Sequence, residues 1–127
     1  MEKKEILIVD DDIIAQNMLK VTLANAGYSV LIASNGEEAL EKAKEYHPSV
    51  IILDIVMPGI DGGEVANALR KDPKTKKIPI IFLSTLISED EERINDMRGS
   101  TSFFSKPFSR DKLLNEIGRY VRRQNSN

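Results

Sequence analysis

Two uninterrupted aliphatic runs, Ile6-Leu7-Ile8-Val9 and Val50-Ile51-Ile52-Leu53, leave this chain few architectures to choose from. A strand with no polar face must be covered on both sides, and parallel strands flanked by helices supply that cover. The segments between such runs have the longer period of a helix. Within residues 13–26, Ile14, Met18 and Val21 form an apolar stripe widened by Leu19 and Leu23, and Gly27 follows where a helix end favours positive φ. Residues 28–33 predict a second strand, 34–36 a turn, and 37–46 a helix with Ala39, Leu40 and Ala43 inward, stopped by His47-Pro48. Residues 63–71 predict a helix inward at Val65, Ala66 and Leu69, and residues 78–83 a fourth strand. Residues 88–98 predict a polar, sparsely striped helix with Ile94 and Met97 inward, and Phe103-Phe104 a very short strand. Residues 109–123 predict a closing helix inward at Leu113, Ile117, Tyr120 and Val121.

Five strands and five helices in alternation make an open, doubly wound α/β sandwich with a five-stranded parallel sheet and right-handed crossovers, (βα)5. The 127 residues suit one core, and no linker rich in Gly, Pro or Ser divides them, so residues 1–127 are expected to form a single domain. Composition then removes whole classes of chemistry. There is no cysteine and one histidine, His47, which excludes thiolate nucleophiles and multi-histidine zinc sites. A formal charge of -2 gives no chain-wide attraction for nucleic acid, so no direct nucleic-acid contact is expected. The apolar run near the N-terminus is shorter than the ~7–15 residues of a secretory signal or the ~20 of a membrane span. The expectation is a cytoplasmic protein without membrane contact.

In open parallel sheets the site lies beyond the carboxyl ends of the strands. There the first strand runs into Asp10-Asp11-Asp12, the third into Asp54, the fourth into Ser84-Thr85, and the fifth into Lys106-Pro107. Two carboxylates about 4.5 Å apart repel by roughly 3–4 kcal/mol at an effective dielectric near 20, so such a group retains a proton or recruits a cation. Oxygen ligands alone point to a hard ion, magnesium before others. With that ion, the Lys106 ammonium and the Ser84 hydroxyl make three electrophiles, enough for the equatorial oxygens of a phosphoryl group in flight. Asp54 ends the central strand between the acidic pair and the lysine, which makes it the candidate nucleophile and acyl phosphate. Asp12 is expected to cap the following helix.

Five segments carry a family resemblance: ILIVDDD (6–12), ASNGEEALEKA (33–43), VIILDIVMPGIDG (50–62), IPIIFLST (78–85) and FFSKPF (103–108). In this order the chain resembles, over essentially its whole length, the response-regulator receiver domain of two-component signal transduction. The resemblance implies the flavodoxin-like strand order 2-1-3-4-5 and phosphorylation by a sensor histidine kinase, a phosphotransfer protein or a small phosphodonor, with Mg2+ or Mn2+ as cofactor. It implies Asp54 as phosphoacceptor, Asp11 as direct metal ligand, Asp10 acting largely through water, and the Val56 backbone carbonyl as a further ligand. Ser84 is implied as the switch hydroxyl, Lys106 as the phosphate-binding lysine, and Phe103 as the aromatic switch residue, here without the more usual tyrosine hydroxyl. Thr85, where the family often has alanine, could narrow access to Asp54. Phosphorylation is implied to alter the face of the fourth helix, fifth strand and fifth helix, and with it a downstream partner, an effector domain or a dimer contact. The protein is then a signalling domain, not an enzyme beyond its own phosphorylation and dephosphorylation, and no output domain is expected within these residues.

Three other readings fit less well. A haloacid-dehalogenase-type phosphatase usually has a second aspartate where Val56 stands. A flavodoxin-like cofactor would meet three aspartates after the first strand instead of a phosphate-cradling loop. A purely structural or docking module leaves the convergence of Asp10, Asp11, Asp54 and Lys106 without a purpose.

Overall fold

The computed structural model describes residues 4–88, 93–94 and 101–124. Each doubly apolar run becomes a strand and each amphipathic stretch between them a helix. In chain order the elements are β1 (Glu5–Val9), α1 (Ile13–Asn25), β2 (Ser29–Ala33), α2 (Gly36–Tyr46), β3 (Val50–Leu53), α3 (Gly62–Lys71), β4 (Ile80–Ser84), β5 (Arg93–Ile94), β6 (Thr101–Ser105) and α4 (Arg110–Gln124). The strands lie in the order β2-β1-β3-β4-β6-β5. The first five in that order pair in parallel, which is the expected 2-1-3-4-5 arrangement with β6 as its fifth strand. Chain reversals sit where the sequence allows them, with Gly27 at φ 96° and the exposed His47 closing α2 at φ 48°.

Alternation along the strands divides the core into two layers. Leu7, Val9, Ile51, Leu53 and Phe82 meet Ala39, Ala43, Val65 and Leu69 of α2 and α3 on one side. Ile6, Ile8, Ile52, Ile81 and Phe104 meet Leu19, Leu23, Leu113, Ile117 and Tyr120 of α1 and α4 on the other. Each fully covered aliphatic side chain contributes roughly 1.5–3 kcal/mol, so the two layers supply most of the drive to fold. Among the described residues, no helix is long and apolar enough to cross a membrane.

Two expectations need correction. The stripe Ile14, Met18 and Val21 does not face the sheet: these residues are exposed, as is Ile13, while Gln16, Leu19 and Leu23 are buried. Both sets have helical spacing on a helix that is apolar almost all round, so period alone does not say which one the sheet covers. The helix expected over 88–98 is interrupted by strand β5, whose two residues pair antiparallel with Ser102 and Phe103 at the outer edge of β6. An edge strand offers unpaired N–H and C=O groups, and pairing with Arg93 and Ile94 satisfies some of them. The rest of that segment, residues 89–92 and 95–98, lies outside the described residues.

Candidate functional site

The site is assembled at the carboxyl rim because each strand there changes from apolar to polar within one residue. After Val9, the Asp10 N–H donates to the Ala33 carbonyl at 3.1 Å, which continues the sheet for one more residue. The Asp54 N–H likewise donates to the Val9 carbonyl at 3.0 Å, setting the two acids side by side on adjacent strands. Asp12 turns the chain into α1 by accepting the Ile14 N–H at 3.0 Å, the capping role expected of it. Beyond Asp54, Asp61 and Glu64 form a capping box that starts α3. Gly62 presses against the end of β3: a Cβ there would meet the Asp54 carbonyl oxygen at 2.2 Å, so only glycine admits this approach.

One carboxylate oxygen from each of Asp10, Asp11 and Asp54 lies within 4.8 Å of the others, with Asp10 buried and Asp11 exposed. Lys106 reaches this group across the sheet. Its Nζ donates to Asp10 Oδ2 at 2.6 Å and pairs with Asp54 Oδ2 at 3.5 Å. Burial of Lys106 opposes its charge, yet the hydrogen bond to Asp10 and the charges of Asp10 and Asp54 outweigh it and raise its pKa above the ordinary lysine value. Lys106 is therefore a cation at any physiological pH. Its backbone N–H donates to the Ser84 carbonyl at 3.1 Å, seating it beside the end of β4.

Ser84 is buried, and its Oγ accepts the Leu86 N–H at 3.2 Å, so the hydroxyl proton remains available as a donor. Thr85, Leu86 and Val56 are exposed around the mouth of the site. Phe103 is half-buried, stacked on Phe82 with centroids 5.2 Å apart and the rings 15° from parallel. The structure thus brings together Asp10, Asp11, Asp54 and Lys106, with Ser84 alongside and Phe103 one strand further out. An all-oxygen, three-carboxylate donor set of this spread suits a hard divalent cation, and residues 10, 11 and 54 would hold it.

Comparison with known proteins agrees with this geometry. A family model described as the response regulator receiver domain matches residues 6–118. The chain belongs to that family. The receiver domain is 36% identical to the Vibrio cholerae chemotaxis protein CheY4 at a TM-score of 0.80, covering 94% of this chain and 99% of that one. It is 35% identical to the protein PilH of Pseudomonas aeruginosa, over 88% of this chain and 93% of that protein. It is also 35% identical to the alkaline phosphatase synthesis transcriptional regulatory protein PhoP of Bacillus subtilis, over 94% of this chain and 49% of that protein. The receiver spans about half the length of the curated relatives of PhoP type, including the probable transcriptional regulator ycf27 of Porphyridium aerugineum.

Sequence reasoning missed two features of the receiver's surroundings. One is the exposed apolar face of α1, which begins two residues beyond Asp11. The other is Gln16, whose polar side chain on the buried face with Leu19 and Leu23 was the available signal.

Proposed function

We propose that this receiver is a phosphoacceptor switch in which Asp54 takes a phosphoryl group from a histidine kinase, a phosphotransfer protein or a small acyl phosphate. The observation that carries the reading is the convergence of three carboxylates and one ammonium on Asp54's end of the central strand. An Asp54 oxygen attacks phosphorus, an O–P bond forms, and the bond to the donor's nitrogen or oxygen breaks with its electron pair leaving on the donor. Lys106 neutralises charge on the transferred group, and the Ser84 hydroxyl donates to one of its oxygens. Magnesium or manganese, held by Asp10, Asp11, Asp54 and the Val56 carbonyl, would supply further charge neutralisation when bound. Asp10 is already engaged by Lys106, which suits it to act through water and leaves Asp11 as the exposed direct ligand. Movement of Ser84 toward the phosphoryl group would open space for Phe103, while Thr85 narrows the mouth of the site. The output is a changed face on β6 and α4, read by a downstream protein, an effector domain or a second copy. The only reaction in this scheme is the domain's own phosphorylation and dephosphorylation.

Residues 1–127 are read as one receiver domain acting in the cytoplasm. The proposal of no direct nucleic-acid contact covers this chain alone, since PhoP and ycf27 are named as transcriptional regulators and extend well beyond the matched region. The test is intact mass after incubation with acetyl phosphate and magnesium. A single phosphoryl mass gain is expected, lost in Asp54→Asn; a gain that persists in that variant refutes the assignment.

The exposed face of α1 supports a protein donor. Ile14, Met18 and Val21 present apolar surface next to the acidic mouth, where a partner helix carrying a phosphohistidine could bury it. Met18→Glu is expected to slow transfer from a phosphorylated donor protein by about tenfold or more. Uptake from acetyl phosphate should not change, and equal slowing of both donors would count against the docking role.

A further inference from the structure

We infer that Gln16 is a positioning residue for the acidic cluster: it holds the Asp10 carbonyl and so directs Asp10 and Asp11 toward a divalent cation. The inference rests on the reading that this cluster binds magnesium. Gln16 lies on the sheet-facing side of α1, 8% exposed, alongside Leu19 and Leu23. A primary amide buried among apolar groups costs free energy unless it is hydrogen-bonded, and here both bonds come from the same nitrogen. Nε2 donates to the Asp10 carbonyl at 2.6 Å and to Ser34 Oγ at 3.2 Å. The reverse amide orientation would face Oε1 against the Asp10 carbonyl, acceptor to acceptor, so the chemistry selects this one.

Asp10 is gripped at every polar atom. Its N–H donates to Ala33, its carbonyl accepts from Gln16, Oδ1 accepts the Asp12 N–H at 2.9 Å, and Oδ2 accepts from Lys106. Two of these contacts reach past Asp10 itself: the Asp12 N–H bond spans Asp11, and the Gln16 bond holds the peptide that leads into it. The Asp10 carbonyl and the Asp11 nitrogen share a rigid peptide plane, so holding that oxygen sets the direction in which Asp11 leaves the strand. Ser34 is itself held, its N–H donating to Glu38 Oε1 at 2.7 Å. The strand that brings no group of its own to the site, β2, thereby supports it through Ser34 and Gln16.

Calorimetric titration of the full chain with magnesium separates this role from simple packing. Gln16→Leu and Gln16→Met keep the volume and remove the donor; in both, the magnesium dissociation constant is expected to rise by about tenfold. In acetyl phosphate assays, half-saturating magnesium should rise in parallel while the rate at saturating magnesium stays within about twofold. Leu19→Ala on the same face is the control: it should lower the melting temperature and leave magnesium affinity unchanged. Unchanged affinity in the Gln16 variants, or equal weakening in Leu19→Ala, overturns the inference. A wild-type chain that binds no magnesium fails the reading of the cluster itself, and the role of Gln16 falls with it.

Discussion

Lys106→Ala is expected to bind magnesium more tightly than wild type and yet accept a phosphoryl group about 10²–10³-fold more slowly. The two effects have opposite signs because the ammonium occupies the same acidic cluster as the cation. It sits 2.6 Å from Asp10 and 3.5 Å from Asp54, largely shielded from solvent, so its charge lowers the field available to a second positive ion. Its removal should therefore strengthen metal binding, on the order of tenfold for a nearby unit charge at an effective dielectric of 20 or above. During transfer the balance reverses, because the incoming phosphoryl oxygens bring negative charge and Lys106, on the side of β6, is positioned to meet it. Without metal, the variant leaves the buried Asp10 carboxylate with the Asp12 N–H as its remaining donor, which is expected to cost about 2 kcal/mol of stability. Saturating magnesium should restore that loss by binding the folded state. Magnesium titration, phosphorylation kinetics and thermal unfolding with and without the ion make the check. Weaker magnesium binding in Lys106→Ala would sink the electrostatic account of the cluster.

The rim of the sheet was readable from the sequence because doubly apolar strands end abruptly in polar residues. Asp10, Asp54, Ser84 and Lys106 each stand at or just beyond such an end, and a parallel sheet gathers all those ends on one side. The orientation of α1 was not readable, since Leu19 with Leu23 and Ile14 with Met18 offer equally good apolar stripes. Only the packing of the sheet decides between them. Residue 102 hid for another reason. β6 reads TSFFS, and its buried Ser102 looks like loop sequence until its partners 14 and 18 residues later, Glu116 and Tyr120, are placed against it. The closing helix was likewise expected inward at Leu113, Ile117, Tyr120 and Val121, and Glu116 is not among them. A glutamate's burial depends on distant partners, and no periodicity in one helix reports them.

Those partners make Glu116 the residue whose loss should most affect stability. It is 3% exposed. Its Oε1 accepts from Arg119 Nε at 2.8 Å and its Oε2 from Arg119 Nη2 at 2.9 Å, a two-pronged grip. The Ser102 hydroxyl also donates to Oε2, so the Tyr120 hydroxyl, 2.5 Å from Ser102 Oγ, must donate to that serine. The Arg119 guanidinium in turn covers the Tyr120 ring at 4.7 Å. Truncation by Glu116→Ala leaves the buried Ser102 hydroxyl without its acceptor and Arg119 without its carboxylate, and is expected to cost about 3–5 kcal/mol. The acidity of the group gives the pH dependence. Burial opposes ionisation of Glu116, but hydrogen bonds from Arg119 and Ser102, together with the Arg119 charge, outweigh it and lower the pKa in the folded state. A carboxylate with a depressed folded pKa contributes stability above its unfolded pKa, near 4.3, and loses it as pH falls through the folded value. Glu116→Gln, which keeps the shape but not the charge, should thus be less stable than wild type at neutral pH and converge on it in acid. Denaturant unfolding of the two proteins from neutral pH down to about pH 3 makes the comparison. Parallel curves across that range would show that the ionised carboxylate does not hold β6 to α4. Ser102 precedes Phe103, whose ring lies on the opposite face of the same strand, so the network anchors the strand that carries the proposed switch residue. A folded Glu116→Gln domain should still take up phosphoryl groups at Asp54, because Asp10, Asp11, Asp54 and Lys106 are unchanged in it.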